Sequence, residues 1–105
     1  DQTKIRQALF NLLRNAQESI QHTHGRILFS ASVVPDGVQI TISDNGCGMT
    51  EDQIENAFRP FVTYKPGGTG LGLAVTRQII EAHQGTLCVE STPKEGTSFY
   101  IFLPG

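Results

Sequence analysis

The chain has 105 residues, 38% hydrophobic and 17% charged, which describes one globular domain rather than two domains or a disordered segment. Eight Lys and Arg against ten Asp and Glu give a formal net charge of −2, so the basic footprint of a nucleic-acid or anionic-membrane binder is missing. No apolar run approaches the ~20 residues of a membrane helix, no signal peptide opens the chain, and Cys47 and Cys88 show no metal-ligand spacing, which reads as reduced thiols in a cytoplasmic domain.

No repeat, low-complexity tract or linker interrupts the sequence, so residues 1–105 are read as one unit. The first residue is Asp1, not Met, and a piece of a longer protein is expected; that parent can be membrane-anchored. From Thr3 to about Gln21, Ile5, Ala8, Leu9, Leu12, Leu13, Ala16 and Ile20 recur at helical spacing and form one buried stripe. Asp1 is placed to cap this helix and Gly25 to close the segment. Ile27, Phe29, Ala31 and Val33 then alternate with mostly polar neighbours, Pro35-Asp36-Gly37 supplies turn chemistry, and Val38, Ile40 and Ile42 alternate again.

A short helix is expected from about Glu51 to Ala57 with Thr50 as its cap. The stretch from Arg59 to Gly68 is too irregular for either regular element. A third helix is predicted from about Gly70 to His83, with Leu71, Val75, Ile79 and Ala82 as its stripe and Gly85 ending it. Leu87 and Val89, then Phe99, Ile101 and Leu103, mark two final strands. Ser30, Ser32, Gln39, Thr41, Ser43, Glu90 and Ser98 occupy the other strand faces, broken by Tyr100 and Phe102. One sheet face is therefore apolar and covered by helices, the other largely wet: a two-layer α/β sandwich.

Three segments exceed what this framework needs. Strand parity points Asp44 into the apolar layer with Val38, Ile40 and Ile42, where a carboxylate is costly unless a donor meets it. Gly46 and Gly48 just beyond allow another group close to the backbone. A turn in which Asp44 caps Asn45-Gly46 explains the same residues. Gly67-Gly68-Thr69-Gly70-Leu71-Gly72-Leu73 runs into a helix, where backbone N–H groups and the helix dipole attract a phosphate. It lacks the Lys-Ser/Thr of a Walker loop and the spacing and preceding strand of a dinucleotide fingerprint; a flexible hinge is the bland alternative. Asn11, Asn15 and Glu18 form a polar row on the first helix. An amide oxygen there suits Mg²⁺, although such rows are commonly solvated faces.

Taken together, these residues resemble the GHKL ATP-binding superfamily. Asn11-Leu12-Leu13-Arg14-Asn15-Ala16 is similar to its N box, Asp44-Asn45-Gly46-Cys47-Gly48-Met49 to its first glycine box, and Phe58-Arg59-Pro60-Phe61 to its F box. Gly68-Thr69-Gly70-Leu71-Gly72-Leu73 resembles the second glycine box and Glu95-Gly96-Thr97 the last. The order is right and covers nearly the whole chain, and Gly72-Leu73-Ala74-Val75 through His83-Gln84-Gly85 is closest to the catalytic domains of two-component sensor histidine kinases.

The resemblance implies a Bergerat-type fold, with a mixed sheet covered on one face by about three helices, that binds ATP and Mg²⁺. Asp44 would accept the exocyclic amine of adenine and Thr97 would help hold the base through water. Asn15 would ligate Mg²⁺ with Asn11 in support. Gly46, Gly48, Gly68, Thr69, Gly70, Leu71, Gly72 and Leu73 would shape the nucleotide site. Arg59 to Thr69 would form a lid, anchored by Phe58 and Phe61, that brings Lys65 to the phosphates. Hydrolysing members place a Glu one turn before the metal-binding Asn; here Asn11, which takes no proton at neutral pH, favours transfer over hydrolysis.

The implied partners are ATP, a histidine-bearing dimerisation domain of the same or a partner kinase chain, and indirectly a response regulator. Nucleic acid and membrane contacts are not expected, and the isolated domain is expected to be a monomer. An anti-sigma-type serine kinase and a non-catalytic nucleotide-gated module are the alternatives. Two departures stand out. Glu18 occupies a position that is basic in many such kinases, and the family's strand structure ahead of the N box is missing, so one sheet edge is expected to be less covered than usual. His22 and His24 read as loop residues and His83 as a favourable partial charge at a helix end; none is expected to be the phosphoacceptor.

Overall fold

The computed structural model describes residues 2–20, 23–56 and 72–105. The expected Asp1 cap, His22 and the F box and lid, including Phe58, Phe61 and Lys65, lie outside the described residues, as do Gly68, Thr69, Gly70 and Leu71 of the second glycine box.

The first helix, α1 (Gln2–Ser19), follows the predicted stripe: Ala8, Leu12 and Ala16 are fully buried, and Ile5, Leu9 and Leu13 pack partly against the core. It stops two residues short of the expected end because its last carbonyls find other partners. The Ser19 hydroxyl donates to Asn15 O at 2.9 Å, and Ser19 O accepts the Cys47 N–H at 3.0 Å.

Strands β1 (Ile27–Val34), β2 (Gly37–Asp44), β3 (Thr86–Thr92) and β4 (Gly96–Pro104) form one sheet in the order β1-β2-β4-β3. Each pairing among the described residues is antiparallel, which replaces the mixed sheet expected. The reason is positional: β4 lies between β2 and β3, so those two strands share a direction but never pair. Side chains line up in rows across the sheet, Phe29·Ile42·Phe99·Val89 and Ala31·Ile40·Ile101·Leu87. The β2 and β4 members of both rows, with Leu87, form the buried core under the helices. Each such side chain contributes about 1.5–3 kcal/mol relative to exposure.

The apolar alternation in β1 does not translate into burial. Ile27 and Phe29 stay 38% and 50% exposed and Val33 is 88% exposed, whereas Ile42, the row partner of Phe29, is fully buried. β1 is the edge strand, and α1 lies chiefly over β2, so periodicity selects a face but supplies nothing to cover it.

Among the described residues, α1 and a later helix, α3 (Gly72–Ala82), pack on the sheet. α2 (Glu51–Asn56) buries no residue and is held by its own cap: Thr50 Oγ1 accepts the Gln53 N–H (3.2 Å) while Gln53 Oε1 accepts the Thr50 N–H (2.9 Å). This is a reciprocal capping box built on the predicted Thr50. α3 (Gly72–Ala82) packs against α1 and buries Ala74, Thr76, Ile79 and Ile80, with Val75 half-buried; Ala82, assigned to the stripe by spacing, is exposed. Facing both α1 and β3 turns its contact surface toward Thr76 and Ile80.

The end of α3 also differs from expectation. Gly85 N–H reaches back to Ile80 O at 2.9 Å and Gln84 N–H to Glu81 O at 3.0 Å, a Schellman arrangement in which Gln84, at φ 66°, is the left-handed residue. Gly85 is needed for a different reason: a Cβ there would stand 2.5 Å from Phe102 O. His83 Nδ1–H donates to Ile79 O at 2.8 Å, placing the ring over the helix end as expected.

Candidate functional site

The third row of the sheet is chemically unlike the other two. Asp44, Thr97 and Ser91 are register partners on β2, β4 and β3, at the end where β2 runs out. Asp44 is 9% exposed and Thr97 3%, so strand parity correctly turns both toward the helix-covered side. Asp44 Oδ1 accepts the Gly46 N–H at 2.8 Å, which makes the turn that the simpler reading requires. Its Oδ2 is also buried. The carboxylate thus serves the turn with one oxygen and keeps the other beside Thr97 in the apolar layer.

The first glycine box is built against the protein itself. Asn45 fastens it to the approach to β1, accepting the Arg26 N–H (2.7 Å) and donating to His24 O (2.9 Å). A Cβ on Gly46 would lie 2.5 Å from Ser19 O, and one on Gly48, at φ 68°, 2.0 Å from Thr92 O. The group that approaches these two glycines closely is therefore the end of α1 in one case and the β3–β4 turn in the other. Cys47 spans the gap, donating to Ser19 O and accepting the Lys94 N–H.

On α1 the polar row divides by burial. Asn15 is 8% exposed, Asn11 half-buried and Glu18 exposed. Only Asn15 holds a buried amide, one helical turn before the Ser19 carbonyl that carries the glycine box. The end of α1 and the end of β2 are thereby joined, bringing the predicted metal-binding helix and the predicted base-binding strand into one assembly. α3 begins at Gly72, where first-turn amides lack acceptors within the helix, and Leu73 packs against the core.

Sequence reasoning passes over Ser91, which proves central to this row. Ser91 Oγ accepts the Met49 N–H (2.8 Å), donates to Gly96 O (2.9 Å) and lies 2.8 Å from Thr97 Oγ1. The signal was present: Ser91 continues the parity of Leu87 and Val89, so a hydroxyl was due at a covered strand end. Among the described residues no group of three or more His, Cys, Asp or Glu is placed to hold a metal. Cys47 and Cys88 are free and exposed. No described helix is long and apolar enough to cross a membrane.

A buried carboxylate next to a buried hydroxyl suits a ligand edge that offers hydrogen-bond donors. The family model described as histidine kinase-, DNA gyrase B- and HSP90-like ATPase matches residues 1–105. The chain belongs to this ATPase family. Among the relatives of this ATPase domain, Sporulation kinase B of Bacillus subtilis (strain 168) is 43% identical over 104 residues, covering 99% of the chain and 24% of the relative. Sensor histidine kinase ZraS of Escherichia coli (strain K12) is 42% identical over 104 residues, covering 99% and 22%. The chain spans about a quarter of the length of these curated relatives. Of solved structures, a mycobacterial sensor histidine kinase, MprB, superimposes with a TM-score of 0.88 at 30% identity, covering all of this chain and 72% of that one. A nucleotide-free catalytic domain of histidine kinase ThkA gives 0.85 at 35% identity, covering 99% and 68%.

Proposed function

We propose that this ATPase-family chain is the catalytic domain of a sensor histidine kinase, which binds Mg-ATP and presents its γ-phosphate to a histidine on a separate dimerisation domain. The observation that carries the reading is the buried Asp44–Thr97 pair at the sheet end, joined through Gly46 and Cys47 to the helix that bears Asn15. Asp44 would take the adenine amine, a contact that suits a carboxylate held in an apolar layer by one turn hydrogen bond. The buried amide of Asn15 suits Mg²⁺, a hard cation that prefers oxygen donors, and the ion would neutralise phosphate charge when bound. Asn11 supports it, and Lys65 with Gly68, Thr69, Gly70, Leu71 and Gly72 would face the phosphates, on the strength of the family resemblance.

Phosphoryl transfer asks this domain for position more than for covalent chemistry. The γ-phosphorus bond to the bridging oxygen breaks, a bond to an imidazole nitrogen forms, the imidazole loses its proton, and ADP leaves. Asn11 has no basic group with which to activate water, which favours transfer over hydrolysis. The phosphorylated histidine would then supply a response regulator, and the domain would work in the cytoplasm as a monomer. The names of the relatives favour neither the serine kinase nor the non-catalytic module.

The test is to mix the chain with Mg-ATP labelled at the γ-phosphate and a histidine-bearing dimerisation domain from a relative. Label should appear on that domain as acid-labile, base-stable phosphate, and EDTA should abolish it. Label on serine would transfer the reading to a serine kinase; binding of ATP without transfer to any supplied histidine domain would leave only the nucleotide-gated module.

A further inference from the structure

The hydrogen-bond arithmetic around Ser91 has a consequence for the base pocket. A serine hydroxyl carries one proton and two lone pairs. Ser91 Oγ has three neighbours: the Met49 N–H, which can only donate, the Gly96 carbonyl, which can only accept, and the Thr97 hydroxyl. All three contacts are satisfied together in one way. The Ser91 proton goes to Gly96 O, and its two lone pairs take the Met49 N–H and the Thr97 O–H. The single Thr97 proton is then committed to Ser91, and Thr97 Oγ1 has only lone pairs left for anything else in the pocket.

Thr97 is 3% exposed and stands in register between Ser91 and Asp44. We infer that Ser91 is a positioning residue for base recognition, which holds the Thr97 hydroxyl as an acceptor so that the pocket selects a 6-amino over a 6-oxo purine. A row of two acceptors, carboxylate and hydroxyl, meets an amine edge favourably and repels an oxo edge. The serine thereby ties the first glycine box, through Met49, to the strand that carries Thr97. The inference rests on the ATP-binding reading and assigns Ser91 a part in its specificity.

The experiment is calorimetric titration of the chain with ATP and with inosine triphosphate, which replaces the 6-amino group by oxygen without adding a 2-amino group. The wild-type chain should prefer ATP. Ser91→Ala releases the Thr97 proton, so that the hydroxyl can turn toward the ligand as a donor. The preference for ATP should then narrow roughly tenfold, the scale of one redirected hydrogen bond. Ser91→Thr keeps a hydroxyl in place and should retain the wild-type ratio. A purely structural serine would weaken both nucleotides equally and leave the ratio unmoved; that outcome overturns the inference. Equal binding of both nucleotides by the wild-type chain would also overturn it while leaving ATP binding intact. No binding of ATP by the wild-type chain would remove the functional reading and the inference with it. Should Ser91→Ala fail to fold in a thermal melt, Thr97→Val decides, because it deletes the acceptor itself and must narrow the ratio to a similar degree.

Discussion

Asp44→Asn separates binding from folding at one position. The substituted amide keeps the size and shape of the carboxylate, and its oxygen can still accept the Gly46 N–H that now meets Oδ1 at 2.8 Å. The turn and the strand end should therefore survive, and the melting temperature should move by no more than about 5 °C, the scale of ~1 kcal/mol for a domain of this size. Binding should suffer far more. A hydrogen bond to a charged acceptor is worth about 1.5–3 kcal/mol, and the new NH₂ group sets a second donor against the adenine amine in a site where Asp44 is only 9% exposed. Together these cost about 3–5 kcal/mol, or roughly two to four orders of magnitude in Kd. Calorimetry with ATP beside a thermal melt reads both quantities on one sample. Unchanged ATP affinity would refute the assignment of Asp44 to the base. A collapse of the melting temperature would show instead that the carboxylate belongs mainly to the turn.

Two further predictions concern the fold. Phe99→Ala, at a fully buried position in the middle of the sheet, should cost about 3–5 kcal/mol and leave little folded protein, whereas Phe29→Ala, in the same row but half-exposed on the edge strand, should cost about 1 kcal/mol or less. Urea titration of both variants checks the contrast, and comparable losses would contradict the exposure of β1. Gly46→Ala drives a methyl group to within 2.5 Å of Ser19 O and should break the Cys47 N–H bond to that carbonyl. A loss of about 2–3 kcal/mol is expected, read as a melting temperature lower by roughly 10–20 °C.

Much of this molecule is legible before any coordinates, and what escapes does so for identifiable reasons. The α1 stripe, the Thr50 cap and the inward parity of Asp44 and Thr97 are local properties, set by backbone period and by the orphan donors of a helix start. The exposure of β1 is not local: alternation reports which side chains share a face, and only the position of α1 decides whether that face is covered. The placement of β4 between β2 and β3 is equally invisible to a window of neighbouring residues. At the site, the glycines were readable as points of close approach, but the approaching groups proved to be Ser19 and Thr92 of the chain itself. Gln84 adopts a left-handed conformation that a glycine adopts more readily, because the adjacent Gly85 is occupied by contact with Phe102.

The central position of β4 also governs the order of assembly. Of the four described strands it is the last to leave a ribosome, yet it takes part in two of the three seams of the sheet. Until it arrives, the β1–β2 hairpin has an open flank and β3 has no partner in the sheet, so the nascent chain carries exposed strand edges until β4 emerges. The β3–β4 seam is a local hairpin, but the β2–β4 seam joins segments distant in sequence and closes slowly, since the entropy of the intervening loop is surrendered before any contact rewards it. Asp44 and Thr97 meet across one of those seams. The Asp44–Thr97 pair therefore comes into being only when β2 and β4 have joined.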